Sequence, residues 1–206
     1  MIPLIVQNRT EKDNGGNKKH VLISGTGRSG TTFITQILSL LDIKTGFNHL
    51  TKDELVGHGD KMPDHLEPYM DWHTLKKLKT KKHPIQKFPE VFKSPQAIEF
   101  IPEILRYIDL RHVIMPIRNL EDVNKSAKKQ NMLKSGLFEI DYMRKVLSDG
   151  LYNLTKYNIP FTTLHFPTLV KDAHYLYDKL NPIFPKINFD SFSHYFHQLT
   201  NRRNKV

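Results

Sequence analysis

The sequence predicts an α/β fold in which a central, mostly parallel sheet lies between two layers of helices. Short apolar runs, typical of buried strands, alternate with longer stretches whose apolar residues recur every three or four positions. The stretches between the runs are long enough to contain the crossover helices that parallel strands require. In this class of fold ligands bind at the carboxyl ends of the strands, so the residues after each strand are the first candidates for function.

Each predicted strand is a compact apolar run. The four cover residues 20–24, 90–93, 112–117 and 161–166. The second is followed by Ser94 and Pro95, and this proline ends it because proline cannot donate to a strand ladder. Pro116 lies inside the third run, and we therefore expect an edge position or a bulge there.

The helices are predicted from apolar periodicity. They cover residues 32–41, 96–107, 121–133, 138–157, 168–180 and 189–199. In the first, five apolar residues share one face: Phe33, Ile34, Ile37, Leu38 and Leu41. Asn119 is the expected N-cap of the third, with Asp122 in its first turn.

The 206 residues are expected to form one domain over residues 20–200. Residues 1–19 are polar and contain glycine, and they are predicted to be a flexible leader with at most a short edge strand at residues 3–6. Residues 201–206 are predicted to be a loose tail.

The composition excludes several kinds of chemistry. The chain has no cysteine, which rules out disulfides, thiolate zinc sites and cysteine nucleophiles. No stretch reaches the roughly 20 apolar residues that span a bilayer, and no secretory signal is recognisable. We expect a cytoplasmic protein without a transmembrane segment. The oligomeric state is not predictable from these observations.

The net charge of +10 favours anionic partners. Residues 76–87 form a dense basic run that could receive an anionic acceptor or simply be a solvated surface. A nucleic-acid partner is not expected, because no recognisable binding module is present and the aromatic residues are not arranged for base stacking.

A glycine-rich segment follows the first strand. Gly25 and Gly30 have the spacing of the G-x-x-x-x-G-K-[ST] phosphate loop (P-loop), with Thr31 at the lysine position and Thr32 at the hydroxyl position. We call residues 25–32 the phosphate loop. Its backbone amides and the start of the next helix are suited to bind an anion.

The missing lysine changes the expected ligand. Nucleoside triphosphatases also use a strand-end carboxylate to help hold magnesium. Here one predicted strand ends at Lys93 and another runs into Arg118. Cations at these positions favour a ligand with isolated anionic groups, and no metal is expected.

Residues 28–38, RSGTTFITQIL, closely resemble the 5′-phosphosulfate loop of sulfotransferases that use 3′-phosphoadenosine 5′-phosphosulfate (PAPS). The resemblance implies that Arg28 supplies a cation. It also places Phe33 where relatives have an aromatic residue on or near adenine, although core packing explains this residue equally well. The implied donor-binding residues of this segment are Gly27, Arg28, Ser29, Gly30, Thr31, Thr32 and Phe33.

A second motif of the same family follows the third strand. Arg118 and Ser126 are eight positions apart in IRNLEDVNKS, as are the arginine and serine that hold the donor's 3′-phosphate in relatives. VFKSP also resembles a strand end where a lysine helps to position the donor, which makes Lys93 a candidate. The resemblance covers residues 20–172 in outline, with Phe166 and Pro167 replacing a tyrosine and an acidic residue.

The resemblance implies transfer of a sulfuryl group from PAPS to a hydroxyl or amine acceptor, with adenosine 3′,5′-bisphosphate (PAP) as the product. The acceptor is expected to be a small molecule or a glycan, and an anionic one suits the charge. Arg28 and Lys93 are the implied catalytic cations. Two separate cationic sites would then bind opposite ends of one adenine nucleotide.

The general base is harder to assign. Many relatives have a histidine directly after the lysine of the second strand, where this chain has Ser94. Residues 47–73 are rich in histidines and carboxylates, and among them His49 and Glu67 are the candidates.

Two alternatives remain open. One is a P-loop nucleotide kinase or hydrolase that lacks the usual lysine, which would bind ATP with magnesium. The other is a non-catalytic nucleotide-binding protein on the same scaffold, which would bind the nucleotide without transferring any group.

Overall fold

The computed structural model describes residues 20–45, 47, 50–57, 89–95, 97–106, 108–132 and 136–203. The predicted leader lies outside these residues. The described sheet has the order β2-β1-β3-β4, and every neighbouring pair is parallel. Its strands are β1 (His20–Ile23), β2 (Val91–Lys93), β3 (Leu110–Ile117) and β4 (Phe161–His165). The predicted α/β architecture is confirmed.

Helices connect the strands and cover the sheet. They are α1 (Thr31–Leu40), α2 (Lys52–Gly57), a 3-10 helix (Ala97–Phe100) followed by α3 (Ile101–Ile104), α4 (Leu120–Lys129), α5 (Ile140–Lys156), α6 (Thr168–Lys171), α7 (Ala173–Leu180) and α8 (Phe189–Arg203).

The core is divided by the sheet, because neighbouring residues of a strand point to opposite faces. Val21 and Ile23 of β1 belong to an apolar cluster with α1, α7 and α8, whereas Leu22 belongs to one with α3 and α5. All three side chains are fully buried. Each therefore contributes about 1.5–3 kcal/mol of transfer free energy, and the two clusters account for the three-layer arrangement.

Two predicted helices are shorter pieces in the structure. Residues 96–107 form a 3-10 helix and then one short α-helical segment. The helix expected over residues 168–180 is broken at Asp172, which has extended backbone angles and whose carboxylate accepts a hydrogen bond from the Tyr175 amide. Asp172 thus starts a new helix. The last helix extends past the predicted end at residue 199 and reaches Arg203.

The prediction for Pro116 was wrong. Strand β3 lies between β1 and β4, and the described irregularity of the β1–β3 ladder is at His20 and Val21, not at the proline. Proline is tolerated because β1 pairs with β3 only as far as Ile114. The missing amide of Pro116 faces the side on which β1 has already ended, so no ladder bond is lost.

Gly150 provides a test of the packing between α5 and the 3-10 helix. A Cβ at this position would lie 2.5 Å from Cγ1 and 2.8 Å from Cδ1 of Ile98. Gly150→Ala is therefore expected to destabilise the protein by about 1–3 kcal/mol through overpacking, although glycine to alanine inside a helix usually stabilises. Urea unfolding measures the change. In an Ile98→Ala background the same substitution should no longer destabilise, and an unchanged loss there would rule out this contact as the cause.

Candidate functional site

The phosphate loop follows β1 and runs directly into α1. Gly25, Arg28 and Gly30 all have positive φ angles, of 148°, 63° and 101°. The Ser29 hydroxyl donates a hydrogen bond of 2.6 Å to the Thr26 carbonyl oxygen inside the loop. Gly30 is the N-cap residue of α1. The amides at the start of this helix are therefore presented at the carboxyl edge of the sheet, as anion binding requires.

Both glycines that define the motif are closely approached by their neighbours. A Cβ on Gly25 would lie 3.1 Å from the Pro116 carbonyl oxygen. A Cβ on Gly30 would lie 3.1 Å from Leu169 Cδ1 and 3.3 Å from Phe166 Cδ2. The loop is thus packed against the ends of β3 and β4, and this packing leaves no room for larger residues.

Lys93 is the last residue of β2, and its side chain reaches the phosphate loop. It is only 4% exposed, and its Nζ donates a hydrogen bond of 3.1 Å to Thr32 Oγ1. The next residue, Ser94, donates its amide to the Ile23 carbonyl oxygen. The β2 end is therefore fixed beside β1, and a positive charge is held at the hydroxyl position of the loop.

Arg118 follows β3 and is fixed by the start of α4. The side chain of Asn119 caps this helix, accepting hydrogen bonds from the amides of Glu121 and Asp122. Arg118 Nη1 donates to the Arg28 carbonyl oxygen at 3.1 Å. The Arg118 guanidinium carbon lies 4.4 Å from the centre of the Phe166 ring, in a cation–π contact.

Ser126 lies on α4 and contacts the phosphate loop. Its Oγ accepts a hydrogen bond of 3.3 Å from Arg28 Nε. The sequence prediction placed Arg28 and Ser126 at opposite ends of the nucleotide, in two separate sites. In the structure the two sites are directly adjacent, because the turn after β1 and the helix after β3 meet at one edge of the sheet.

A small cavity of about 80 Å³ lies between these elements. It is lined by Arg28, Gly30, Thr31, Thr32, Phe33, Arg118 and Phe166. This lining of described residues combines two arginines and contains no carboxylate. The cavity is suited to an anionic group.

The structure favours core packing for Phe33. Its side chain is 0% exposed, and its ring meets that of Phe196 edge to face, with 5.4 Å between the ring centres. The ring is therefore occupied inside the cluster formed with α8. Stacking of the ring on adenine would require it to leave that cluster.

Phe166 is a site residue that the sequence analysis did not nominate. It follows β4, lies beside Gly30 and carries the Arg118 guanidinium on its ring. The available signal was its place directly after a predicted strand, where the resemblance expects a tyrosine. Its amide donates to the Ile117 carbonyl oxygen at 2.8 Å, which positions it next to the Arg118 backbone.

The candidate bases His49 and Glu67 lie outside the described residues. Within the described ranges, no group of three or more histidine or acidic side chains is arranged to hold a metal ion. None of the described helices is both long and apolar enough to cross a membrane.

Comparison with solved structures finds the same fold. The structure of retinol dehydratase in complex with androsterone and inactive cofactor PAP matches with a TM-score of 0.50 and 14% identity, over 89% of this chain and 64% of that one. The sulfotransferase domain from the curacin biosynthetic pathway matches with a TM-score of 0.49 and 14% identity, over 84% and 76%. The sulfotransferase domain of the Synechococcus PCC 7002 olefin synthase gives 0.46 and 14%, over 93% and 82%.

A comparison with curated protein sequences gives no match. The model of the sulfotransferase domain family matches residues 18–175, which include the phosphate loop, Lys93, Arg118 and Ser126. Because this match spans most of the chain, the protein belongs to the sulfotransferase domain family.

Proposed function

We propose that this protein transfers a sulfuryl group from PAPS to a hydroxyl or amine of a small-molecule or glycan acceptor. The observation that carries the proposal is the direct contact between the phosphate loop and the Arg118–Ser126 motif. A phosphate loop alone would suit many nucleotides. An arginine and a serine adjoining it provide a second phosphate site, which distinguishes a nucleotide phosphorylated at both the 3′ and 5′ positions.

In the proposed reaction the acceptor oxygen or nitrogen forms a bond to sulfur, and the bond from sulfur to the bridging oxygen breaks. The acceptor loses a proton, and PAP leaves with the electron pair of the broken bond. The protein positions the reactants and stabilises the charge that develops on the leaving phosphate. The loop amides and Lys93, which is held at Thr32, are proposed for this role, and the sequence motif nominates Arg28 as well.

The acceptor must also be deprotonated. His49 and Glu67 remain the proposed bases, because general-base catalysis contributes about 10²–10⁴-fold to such reactions. The net charge of +10 favours an anionic acceptor, such as an acidic glycan. One structure of the same fold was determined with androsterone, a small molecule bearing a hydroxyl group. We also propose a cytoplasmic location, with which a chain free of cysteine is compatible.

The donor can be tested before the acceptor is known, by thermal shift of the full chain with four ligands. A ligand at 100 times its Kd stabilises the folded state by about 2.7 kcal/mol. We expect PAP and PAPS without metal to raise Tm by several degrees, and adenosine 5′-phosphate to raise it less. Stabilisation by ATP with magnesium, but not by PAP, would contradict the proposal and favour a kinase or hydrolase. Transfer from radiolabelled PAPS to a panel of glycans and phenols would then separate an enzyme from a non-catalytic binding protein.

A further inference from the structure

We propose that Arg28 is a specificity residue that binds the 3′-phosphate together with Arg118 and Ser126, and that it does not act mainly on the sulfuryl group. The inference rests on the proposed function and concerns the same site. It departs from the role that the sequence motif assigns to this position.

The first observation is the direction of the Arg28 side chain. Although Arg28 belongs to the phosphate loop, its Nε donates to Ser126 Oγ on α4 at 3.3 Å. Its backbone is in the left-handed region, with φ 63°, and Arg118 Nη1 binds its carbonyl oxygen at 3.1 Å. The backbone of Arg28 is thus fixed by one member of the 3′-phosphate pair, and its side chain contacts the other.

The second observation is the shared cavity. Arg28 and Arg118 both line the cavity of about 80 Å³ beside the loop. A single anionic group in that space would be within reach of both guanidinium groups. An arginine pair of this kind binds a tetrahedral anion through several charge-assisted hydrogen bonds.

The charges of the donor agree with this assignment. A phosphate monoester carries about −1.5 to −2 at pH 7, and the 3′-phosphate is the monoester of PAPS. The phosphate and sulfate of the 5′ anhydride each carry a single negative charge. Two guanidinium groups therefore match the 3′ end. Lys93, held at Thr32 by a hydrogen bond of 3.1 Å, supplies a cation at the 5′ end without help from Arg28.

The test uses three nucleotides that separate the two ends: PAP, adenosine 5′-phosphate and adenosine 3′-phosphate. Their affinities for the full chain are measured by titration calorimetry in the wild type and in Arg28→Gln. We expect PAP and adenosine 3′-phosphate to weaken by about 10–100-fold, as for loss of a hydrogen bond to a charged group. Adenosine 5′-phosphate should change by less than about 3-fold, and Arg28→Lys should retain part of the affinity for PAP.

Lys93→Met is the matched comparison, since it removes a cation at the other end. It should weaken adenosine 5′-phosphate and leave adenosine 3′-phosphate nearly unchanged. The proposal is overturned if Arg28→Gln weakens PAP and adenosine 5′-phosphate equally and spares adenosine 3′-phosphate. If Arg28→Gln does not fold, the same comparison in Arg28→Lys decides, because a lysine that keeps full discrimination against adenosine 5′-phosphate supports the charge role. A wild-type protein that does not prefer PAP over adenosine 5′-phosphate would instead refute the proposed function itself.

Discussion

Arg118→Ala is expected to weaken binding of PAP by about 100-fold, as for the loss of charge-assisted hydrogen bonds to a phosphate. Adenosine 5′-phosphate should lose much less, because its only phosphate is proposed to bind at the amides of the phosphate loop. A smaller loss of this ligand is still expected, since Arg118 also holds the loop through the Arg28 carbonyl oxygen. Titration calorimetry with the two nucleotides measures the difference directly.

Arg111→Ala is the matched control for this substitution. Arg111 lies on the same strand, near its amino end, where it pairs with Glu90 at 2.9 Å and lies over the ring of Phe184. The change in charge is identical, but the site is at the other end of β3. We expect lower stability and unchanged nucleotide affinity. Equal losses of PAP and adenosine 5′-phosphate in Arg118→Ala would remove the 3′-phosphate role from this residue.

Gly30→Val is expected to abolish binding of PAP and adenosine 5′-phosphate alike. Valine is disfavoured at φ 101°, and its Cβ would lie 3.1 Å from Leu169 Cδ1 and 3.3 Å from Phe166 Cδ2. The loop would have to move away from β4, and its amides would no longer converge on one anion. Calorimetry should detect no heat of binding at ligand concentrations that saturate the wild type.

Gly136→Val separates local strain from loss of the site. Gly136 also has a positive φ, of 70°, but no described atom lies within 4 Å of a Cβ built there. Both variants should lose about 1–2 kcal/mol of stability from the left-handed backbone. Only Gly30→Val should lose the nucleotide. If a folded Gly30→Val, verified by circular dichroism, binds PAP with wild-type affinity, the assignment of the phosphate loop is wrong.

The strands and their parallel order were predictable from local patterns, because each is a short apolar run separated from the next by a possible crossover. Asn119 was recognisable as a cap for a similar reason, since its role depends only on the following residues. The break at Asp172 was missed because the apolar period continues across it. Pro116 was misjudged because the length of a neighbouring strand, and not the proline itself, decides whether an amide is needed.

The site was predictable only in part. The sequence indicated that the phosphate loop, Lys93 and Arg118 would meet, since all follow parallel strands. It did not indicate the contact between Arg28 and Ser126, because the direction of a side chain across 98 residues depends on packing. For Phe33 the periodic pattern was compatible with two roles, and its contact with Phe196 decides between them.

The hydrogen bond from Arg118 to the Arg28 backbone has a thermodynamic consequence. The energetic effects of the two arginines are not independent, because removing Arg118 releases the segment from which Arg28 extends. In a double-mutant cycle the combined loss should therefore be smaller than the sum of the single losses, by about 0.5–3 kcal/mol as for residues in one network. Selectivity among adenine nucleotides is thus a joint property of this pair, and a change at either position during evolution would alter what the other is worth.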